Sequence, residues 1–127
     1  MQPNWKQRLS FPNMTSGKTG TELTAELKDR IPEISPAQVH EDLPEGTVVI
    51  DVREDGEWAA GNIPGAHHIP RSYLELRVDN VAPDRTTPVV VYCAAGVRSL
   101  YAARTLIEDL GFQDVKSMIG GFTLWKD

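Results

Sequence analysis

The sequence has little of several features that mark common functional classes. Cys93 is the single cysteine among 127 residues, so the chain cannot form an internal disulfide and suits a reducing compartment. No stretch is apolar enough for a membrane span or for the core of a signal peptide. Lysine and arginine form no basic stripe, and the formal net charge is -5. These absences predict a cytoplasmic protein that binds neither a membrane nor nucleic acid.

Histidine is also scarce, which bears on metal chemistry. His40, His67 and His68 do not form a metal-ligand spacing with Cys93. We therefore expect no metal site and no other cofactor. A hydrolase of the Cys–His type would need a histidine directed at Cys93, and the sequence gives no local support for one.

The chain is long enough for one hydrophobic core and too short for two ordinary domains. Prolines and glycines interrupt residues 1–30, which we interpret as an N-terminal arm or linker with a short helix over residues 21–30. Strand and helix signals then alternate to the end of the sequence. This alternation predicts one α/β domain over residues 31–127, with a mainly parallel central sheet flanked by helices.

Several elements have specific signals. Ser35, Pro36 and Gln38 supply a helix N-cap, a proline at the first helical position and a capping-box glutamine. The apolar runs 47–52 and 89–92 are typical of strands covered on both faces, and the second predicts a central strand. Helices are also predicted over residues 54–60, 72–78 and 99–110, strands over 67–70 and 114–118, and a turn after residue 120.

The segment from Cys93 to Ser99 carries most of the functional information. A thiol between a strand and a helix lies among unpaired backbone N–H groups, at the positive end of the helix dipole. Those donors and the guanidinium of Arg98 favour the thiolate, so Cys93 is the predicted nucleophile. A lone cysteine is more often a small buried hydrophobe. Gly96 and Arg98 on the same short loop favour a reactive site here.

Other polar residues are predicted to lie near this loop. Ligands bind outside the carboxyl ends of the strands in parallel sheets. Asp51 and Arg53, Arg71, the cysteine loop and residues 119–121 all follow predicted strand ends. The sequence therefore predicts a nucleophile, several cations and flexible glycines at one edge of the sheet.

Three ordered motifs resemble the rhodanese-like sulfurtransferases. The first comprises residues 51–58, 61–66 and 69–70, the second is the cysteine loop, and the third is the run 120–125. The resemblance covers about residues 33–127. It implies an α/β fold in which Cys93 accepts a sulfane sulfur, becomes a persulfide and passes the sulfur to a nucleophilic acceptor.

The resemblance also implies roles for individual residues. Ala94, Ala95, Gly96 and Val97 would supply backbone donors to the substrate. Arg98, which would hold an anionic donor or stabilise the persulfide, and Ser99 are the other substrate-binding candidates of the loop. Arg71 is a further candidate that would either meet the charge of the donor or be solvated.

Two further residues are expected to orient the loop. Asp51 would orient either the loop or Arg98, and Arg53 would pair with Glu57. Arg53 and Glu57 are interpreted mainly as scaffold, because ion pairs near a site commonly hold geometry.

The implied partners are a sulfur donor and a sulfur acceptor. The donor is thiosulfate or the persulfide of a cysteine desulfurase. Many thiosulfate-using members of the family have a basic residue directly after the cysteine, whereas this chain has Ala94, which implies that thiosulfate is either a poor donor or a merely convenient one. Residues 69–76 resemble domains that work with adenylyltransferases, so a sulfur-carrier protein or an adenylyltransferase is an expected partner.

Two other functions compete with sulfur transfer. Phosphatases and arsenate reductases of the related fold have five residues between cysteine and arginine, whereas four separate Cys93 from Arg98. A tetrahedral phosphate needs the wider ring of donors, so the shorter loop favours sulfur. A non-catalytic rhodanese-like binding module is the second alternative, and the presence of Cys93 speaks against it because inactive copies usually lack the cysteine.

Overall fold

The structure is a computed structural model that describes residues 17–127. One sheet has the strand order β1-β5-β4-β2-β3, and every neighbouring pair is parallel. The predicted α/β fold with a parallel central sheet and a central cysteine strand is therefore confirmed. The strands are β1 (Glu33–Ile34), β2 (Val48–Asp51), β3 (His67–His68), β4 (Val89–Tyr92) and β5 (Val115–Met118).

Helices cover both faces of the sheet. The α-helices of the described part are α1 (Gly20–Arg30), α2 (Pro36–Glu41), α3 (Asp55–Ala60), α4 (Leu74–Arg77), α5 (Arg98–Arg104) and α6 (Gly121–Trp125). Short 3-10 turns at Arg71–Tyr73 and Val78–Asn80 flank α4, and a π-helical turn at Thr105–Asp109 follows α5.

The predicted start of α2 is confirmed in detail. Ser35 Oγ accepts a hydrogen bond from the Gln38 amide at 3.2 Å, and Gln38 Oε1 accepts one from the Ser35 amide at 3.1 Å. This reciprocal capping box satisfies two donors that a helix otherwise leaves open.

The predicted helix over residues 99–110 differs from the structure, because α5 ends at Arg104 and a π-helical turn continues the chain.

Residues 20–30 pack on the sheet through α1. Leu27 is fully buried in the core, and Thr24 Oγ1 lies 2.8 Å from the Tyr101 hydroxyl of α5. Arg30 forms an ion pair with Glu108 at 3.0 Å. The predicted short helix in this region is thus confirmed, while residues 1–16 of the predicted arm lie outside the described residues.

Between residues 17 and 127, no helix has the length and apolar character needed to cross a bilayer.

The alternation of side chains along β4 decides where the cysteine lies. Val89 and Val91 point into the larger cluster, which includes residues of α1 and α5, and Cys93 belongs to the same cluster. Val90 and Tyr92 lie in the smaller cluster on the opposite face. Successive strand residues point to opposite faces, so Cys93 lies on the α5 side at the carboxyl edge of the sheet.

Candidate active site

The sulfur of Cys93 accepts hydrogen bonds from the loop that follows it. The Gly96 amide lies 3.1 Å from Sγ and the Ser99 amide 3.4 Å from it. Cys93 is 1% exposed, so the sulfur lies at the base of the loop with main-chain donors directed at it. Fixed backbone N–H groups in a dry site stabilise negative charge where it develops. The loop therefore forms an anion site around the sulfur.

Helix α6 holds the start of this loop through two backbone hydrogen bonds. The Phe122 amide donates to the Cys93 carbonyl at 2.8 Å, and the Thr123 amide donates to the Ala94 carbonyl at 3.0 Å. Gly121 makes the close approach possible: a Cβ there would lie 2.3 Å from the Cys93 carbonyl oxygen. Gly96 has φ +94, and a Cβ on it would lie 3.0 Å from the Gly120 nitrogen. Two glycines thus let two backbone segments meet under the nucleophile.

A buried pair of hydroxyls lies on the inner side of the sulfur. Ser99 Oγ is 3.5 Å from Cys93 Sγ and 2.7 Å from Ser117 Oγ. Ser99 and Ser117 are both fully buried. When the sulfur is anionic, the Ser99 hydroxyl donates to it, and the Ser117 hydroxyl donates to Ser99. This chain extends the anion site from backbone to side chains.

Arg98 at the rim of the loop is held by Glu57 of α3. Arg98 Nη1 and Nη2 donate to Glu57 Oε1 and Oε2 at 2.9 and 3.0 Å, a bidentate pair. Glu57 Oε1 also accepts from the Glu54 amide at 3.0 Å, which fixes the carboxylate at the start of α3. The hydrogen bonds from Arg98 lower the pKa of Glu57 from 4.5 to about 2, and the pair raises the pKa of Arg98.

Arg53 pairs with Asp51 and not with Glu57, so the pairing predicted for Arg53 is wrong. Its Nε lies 3.0 Å from both carboxylate oxygens of Asp51, and its Nη2 also donates to the Gly61 carbonyl at 2.6 Å. The guanidinium lies over the Phe122 ring, 4.5 Å from its centroid. Since the Phe122 amide donates to the Cys93 carbonyl, this buried pair reaches the loop through α6, and Arg53 also lies over the ring of Tyr92, which directly precedes Cys93.

Arg71 also has a carboxylate partner. Its Nη1 donates to Glu75 at 2.8 Å, and its Nη2 donates to Thr105 Oγ1 at 2.9 Å. Both partners lie outside the cysteine loop. The three arginines predicted near the site therefore each pair with a carboxylate.

The outer surface of the loop is apolar and uncharged. Ala94 is half-buried, Ala95 is exposed and Val97 is 43% exposed. The amides of these three residues form no hydrogen bond within the described part of the chain, so they are available to a bound anion.

Among residues 17–127, no group of three His, Cys, Asp or Glu side chains is placed to hold a metal ion.

A family comparison matches residues 35–127 to the Rhodanese-like domain. The chain belongs to this family. The resemblance predicted from the three motifs is therefore confirmed over nearly all of the sheet.

Named relatives of this rhodanese-like chain include sulfurtransferases. Thiosulfate sulfurtransferase GlpE of Pseudomonas aeruginosa is 36% identical over 100 residues, covering 79% of this chain and 88% of the relative. A solved thiosulfate sulfurtransferase from Pseudomonas aeruginosa has a TM-score of 0.71 and 29% identity, covering 80% of this chain and 20% of that one. A protein of unknown function, possible tyrosine phosphatase, from Rhodopseudomonas palustris has a TM-score of 0.74 and 29% identity, covering 93% and 96%.

Some residues of the rhodanese-like site were missed from the sequence. Ser117 lies in β5, and its signal was a serine inside an otherwise buried strand. The sequence predicts Glu57 only as scaffold, whereas in the structure it contacts Arg98 across 41 sequence positions. The loop residues from Cys93 to Ser99 do lie together, whereas Arg71 forms its hydrogen bonds elsewhere.

Proposed function

We propose that this chain is a rhodanese-type sulfurtransferase that moves a sulfane sulfur through a persulfide on Cys93. The observation that carries the proposal is the pair of backbone amides, from Gly96 and Ser99, that donate to Cys93 Sγ. The names of the relatives support the same reaction class. No further nucleophile is needed, because the thiolate itself attacks sulfur.

The first half-reaction loads the sulfur. The Cys93 thiolate attacks the outer sulfur of the donor, a new S–S bond forms, and the donor's own bond to that sulfur breaks. With thiosulfate, sulfite leaves with the bonding electron pair and Cys93 becomes a persulfide anion. The amides of Ala94, Ala95 and Val97 are available to the added sulfur.

The second half-reaction unloads the sulfur. A nucleophile such as cyanide attacks the terminal sulfur of the persulfide, giving thiocyanate and the original thiolate. The electron pair of the broken bond leaves with sulfite in the first step and stays on the Cys93 thiolate in the second, so neither step requires an external oxidant or reductant. Ser99 and Ser117 stabilise the thiolate that each cycle regenerates.

The physiological partners are part of the proposal. The donor is thiosulfate or a cysteine desulfurase persulfide, and the acceptor side involves a sulfur-carrier protein or its adenylyltransferase. We propose the cytoplasm as the site of the reaction, since a single free thiol needs a reducing compartment to stay available. Arg98, Ser99 and Arg71 are proposed to contribute to donor binding, the two arginines as ion-paired hydrogen-bond donors and not as free charges. Asp51 and Arg53 are proposed to orient the loop through α6 and Tyr92.

Intact mass spectrometry tests the central step. Incubation with thiosulfate or another sulfane donor should add one sulfur atom to the protein, and cyanide should remove it. Cys93→Ser should not gain sulfur, while Ser72→Ala, an exposed hydroxyl variant, should behave like the wild type. A protein that gains no sulfur from several donors contradicts the proposal and favours a non-catalytic binding module.

Phosphate-ester hydrolysis is the second candidate because of the Rhodopseudomonas palustris relative. The bidentate pair between Arg98 and Glu57 argues against it, since a phosphate dianion would meet an arginine whose charge is already neutralised. Hydrolysis of an aryl phosphate without thiocyanate formation from thiosulfate and cyanide would reverse the assignment.

A further inference from the structure

The arginine expected to attract an anionic donor is already neutralised. Both terminal nitrogens of Arg98 donate to Glu57, and the carboxylate is fixed by the Glu54 amide as well as by the arginine. The two side chains are 41% and 34% exposed, so they lie at the solvent-facing rim of the cysteine loop. An incoming anion therefore meets an ion pair with no net charge.

Within the described residues 17–127, the other two arginines that were predicted near the loop do not replace that positive charge. Arg53 is held by Asp51, and Arg71 is held by Glu75. The loop positions after the cysteine offer small or apolar side chains, and Val97 is substantially exposed. The rim next to the sulfur is thus neutral and apolar, which costs a dianion its hydration without an opposite charge to offset the loss.

We propose that Glu57 is a specificity-determining residue that selects donors of low charge with an apolar body over the thiosulfate dianion. The inference rests on the proposed sulfur-transfer function and names the class of donor for that same site. Glu57 acts through Arg98 and does not touch the reacting sulfur, so its effect is on donor binding.

The Glu57 carboxylate stays negatively charged over the pH range in which such reactions are measured. The hydrogen bonds from Arg98 lower the pKa of Glu57 to about 2, so the carboxylate is ionised near neutral pH. The selectivity is therefore a fixed property of the site.

Two donors with the same reacting group test this inference. Thiosulfate and benzenethiosulfonate both carry a sulfane sulfur on an oxidised sulfur, but the second has one charge fewer and an aromatic ring. The thiolate attacks that sulfane sulfur in each, and sulfite or benzenesulfinate leaves with the electron pair. Kinetics with cyanide as acceptor give KM and kcat for both donors.

Glu57→Gln keeps the size and the accepting oxygen but removes the charge. We expect KM to fall about tenfold for thiosulfate and about threefold for benzenethiosulfonate, which is what Coulomb's law gives in a water-like medium when the removed charge is taken to act on the donor over about 6 Å. We expect kcat to change little for either donor. Glu108→Gln, which makes the same change in net charge at an ion pair with Arg30, should leave both KM values unchanged.

Two more variants separate charge from shape. Glu57→Asp retains the carboxylate and should keep the wild-type ratio of the two KM values. The double variant Glu57→Gln/Arg98→Gln restores a neutral rim and should return the ratio toward that of the wild type. Equal changes for both donors in Glu57→Gln, or no change, would overturn the specificity role even though Cys93 still gains sulfur. Failure of Cys93 to gain sulfur from either donor would instead refute the sulfur-transfer function.

Discussion

Two polar side chains of the cysteine loop are each held in place by a second polar side chain. Ser99 Oγ contacts Ser117 Oγ, and Arg98 is fixed by Glu57. Orientation fixed before the reaction lowers the reorganisation needed in the transition state. The residues in contact with the sulfur and the residues behind them therefore act together at this scale.

Ser117→Ala tests the outer member of the hydroxyl pair. Loss of the 2.7 Å hydrogen bond leaves the buried Ser99 hydroxyl with fewer partners, which should cost about 1 kcal/mol of unfolding free energy. The rate of persulfide formation at saturating donor should fall about tenfold, corresponding to about 1.4 kcal/mol of barrier. Single-turnover mass spectrometry measures that rate, and urea unfolding measures the stability.

A positioning role for Ser117 also predicts how the rate depends on donor concentration. The donor concentration at half-saturation should stay the same in Ser117→Ala, because the serine lies behind the sulfur and away from the rim. The exposed Ser72→Ala variant is the control. A variant with lowered stability and an unchanged maximal rate would show that Ser117 only packs the core.

At the scale of elements, the active loop is held between β4 and α6. Its first two carbonyls accept the Phe122 and Thr123 amides, so the start of α6 fixes the chain at the nucleophile. The contact depends on Gly121, whose φ is +59 and whose position has no space for a side chain. The cysteine loop therefore depends on a motif about 28 residues further along the chain for its shape.

Gly121→Ala should disrupt this junction. Its Cβ would lie 2.3 Å from the Cys93 carbonyl oxygen and 2.6 Å from Ala94 backbone atoms, so the backbone must move. We expect a loss of about 1–3 kcal/mol in unfolding free energy from overpacking and left-handed strain, together with a large loss of sulfur transfer. Chemical denaturation and the thiocyanate assay measure the two effects.

Gly56→Ala is the matched control for that substitution. Gly56 lies in α3, and a Cβ there would meet no atom within 4 Å apart from the backbone of its own helix. Alanine should therefore stabilise the helix by about 0.5–1 kcal/mol. Equal stability of the two variants would contradict the close contact under the loop.

The elements differ in how much the sequence could predict. The capping box at Ser35 and the apolar run of β4 are local signals, and both are confirmed. Strand β1 has only two residues and no alternation, so nothing in its own sequence predicts it. The partners of Arg53 and Arg98 depend on side-chain geometry across folded elements, which is why the Arg53–Glu57 pair was predicted wrongly. Ser117 became visible as part of the site only through the pairing of β4 with β5.

In the molecule as a whole, which has a formal net charge of -5, many charged side chains form local ion pairs. The Arg98–Glu57 pair joins α5 to α3, and the Arg30–Glu108 pair joins α1 to the turn after α5. Exposed pairs contribute little to stability one by one. The bidentate pair at the active loop differs because its carboxylate also caps a helix.

Acid should reveal the contribution of that pair to folding. The pKa of Glu57 is about 2 in the folded protein, below its ordinary 4.5, so the stability gained from ionisation is present above pH 4.5. It is lost as the pH falls from 4.5 toward 2. The difference in unfolding free energy between the wild type and Glu57→Gln should therefore shrink over this interval.

Urea unfolding at several pH values between 7 and 3 measures that difference. Arg98→Gln should reduce the acid sensitivity in the same way as Glu57→Gln, because both variants remove the ion pair. A difference that stays constant from pH 7 to pH 3 would mean that Arg98 does not depress the titration of Glu57.

The shared oxygen of Glu57 has an evolutionary consequence. Oε1 accepts both the Arg98 guanidinium and the Glu54 amide, so a helix cap and the rim of a catalytic loop share one atom. A substitution at position 57 alone leaves a lone cation at the rim of the cysteine loop, and one at position 98 alone leaves a lone anion there. Natural lineages that change either position should therefore show epistasis between the two, with paired replacements tolerated more often than single ones.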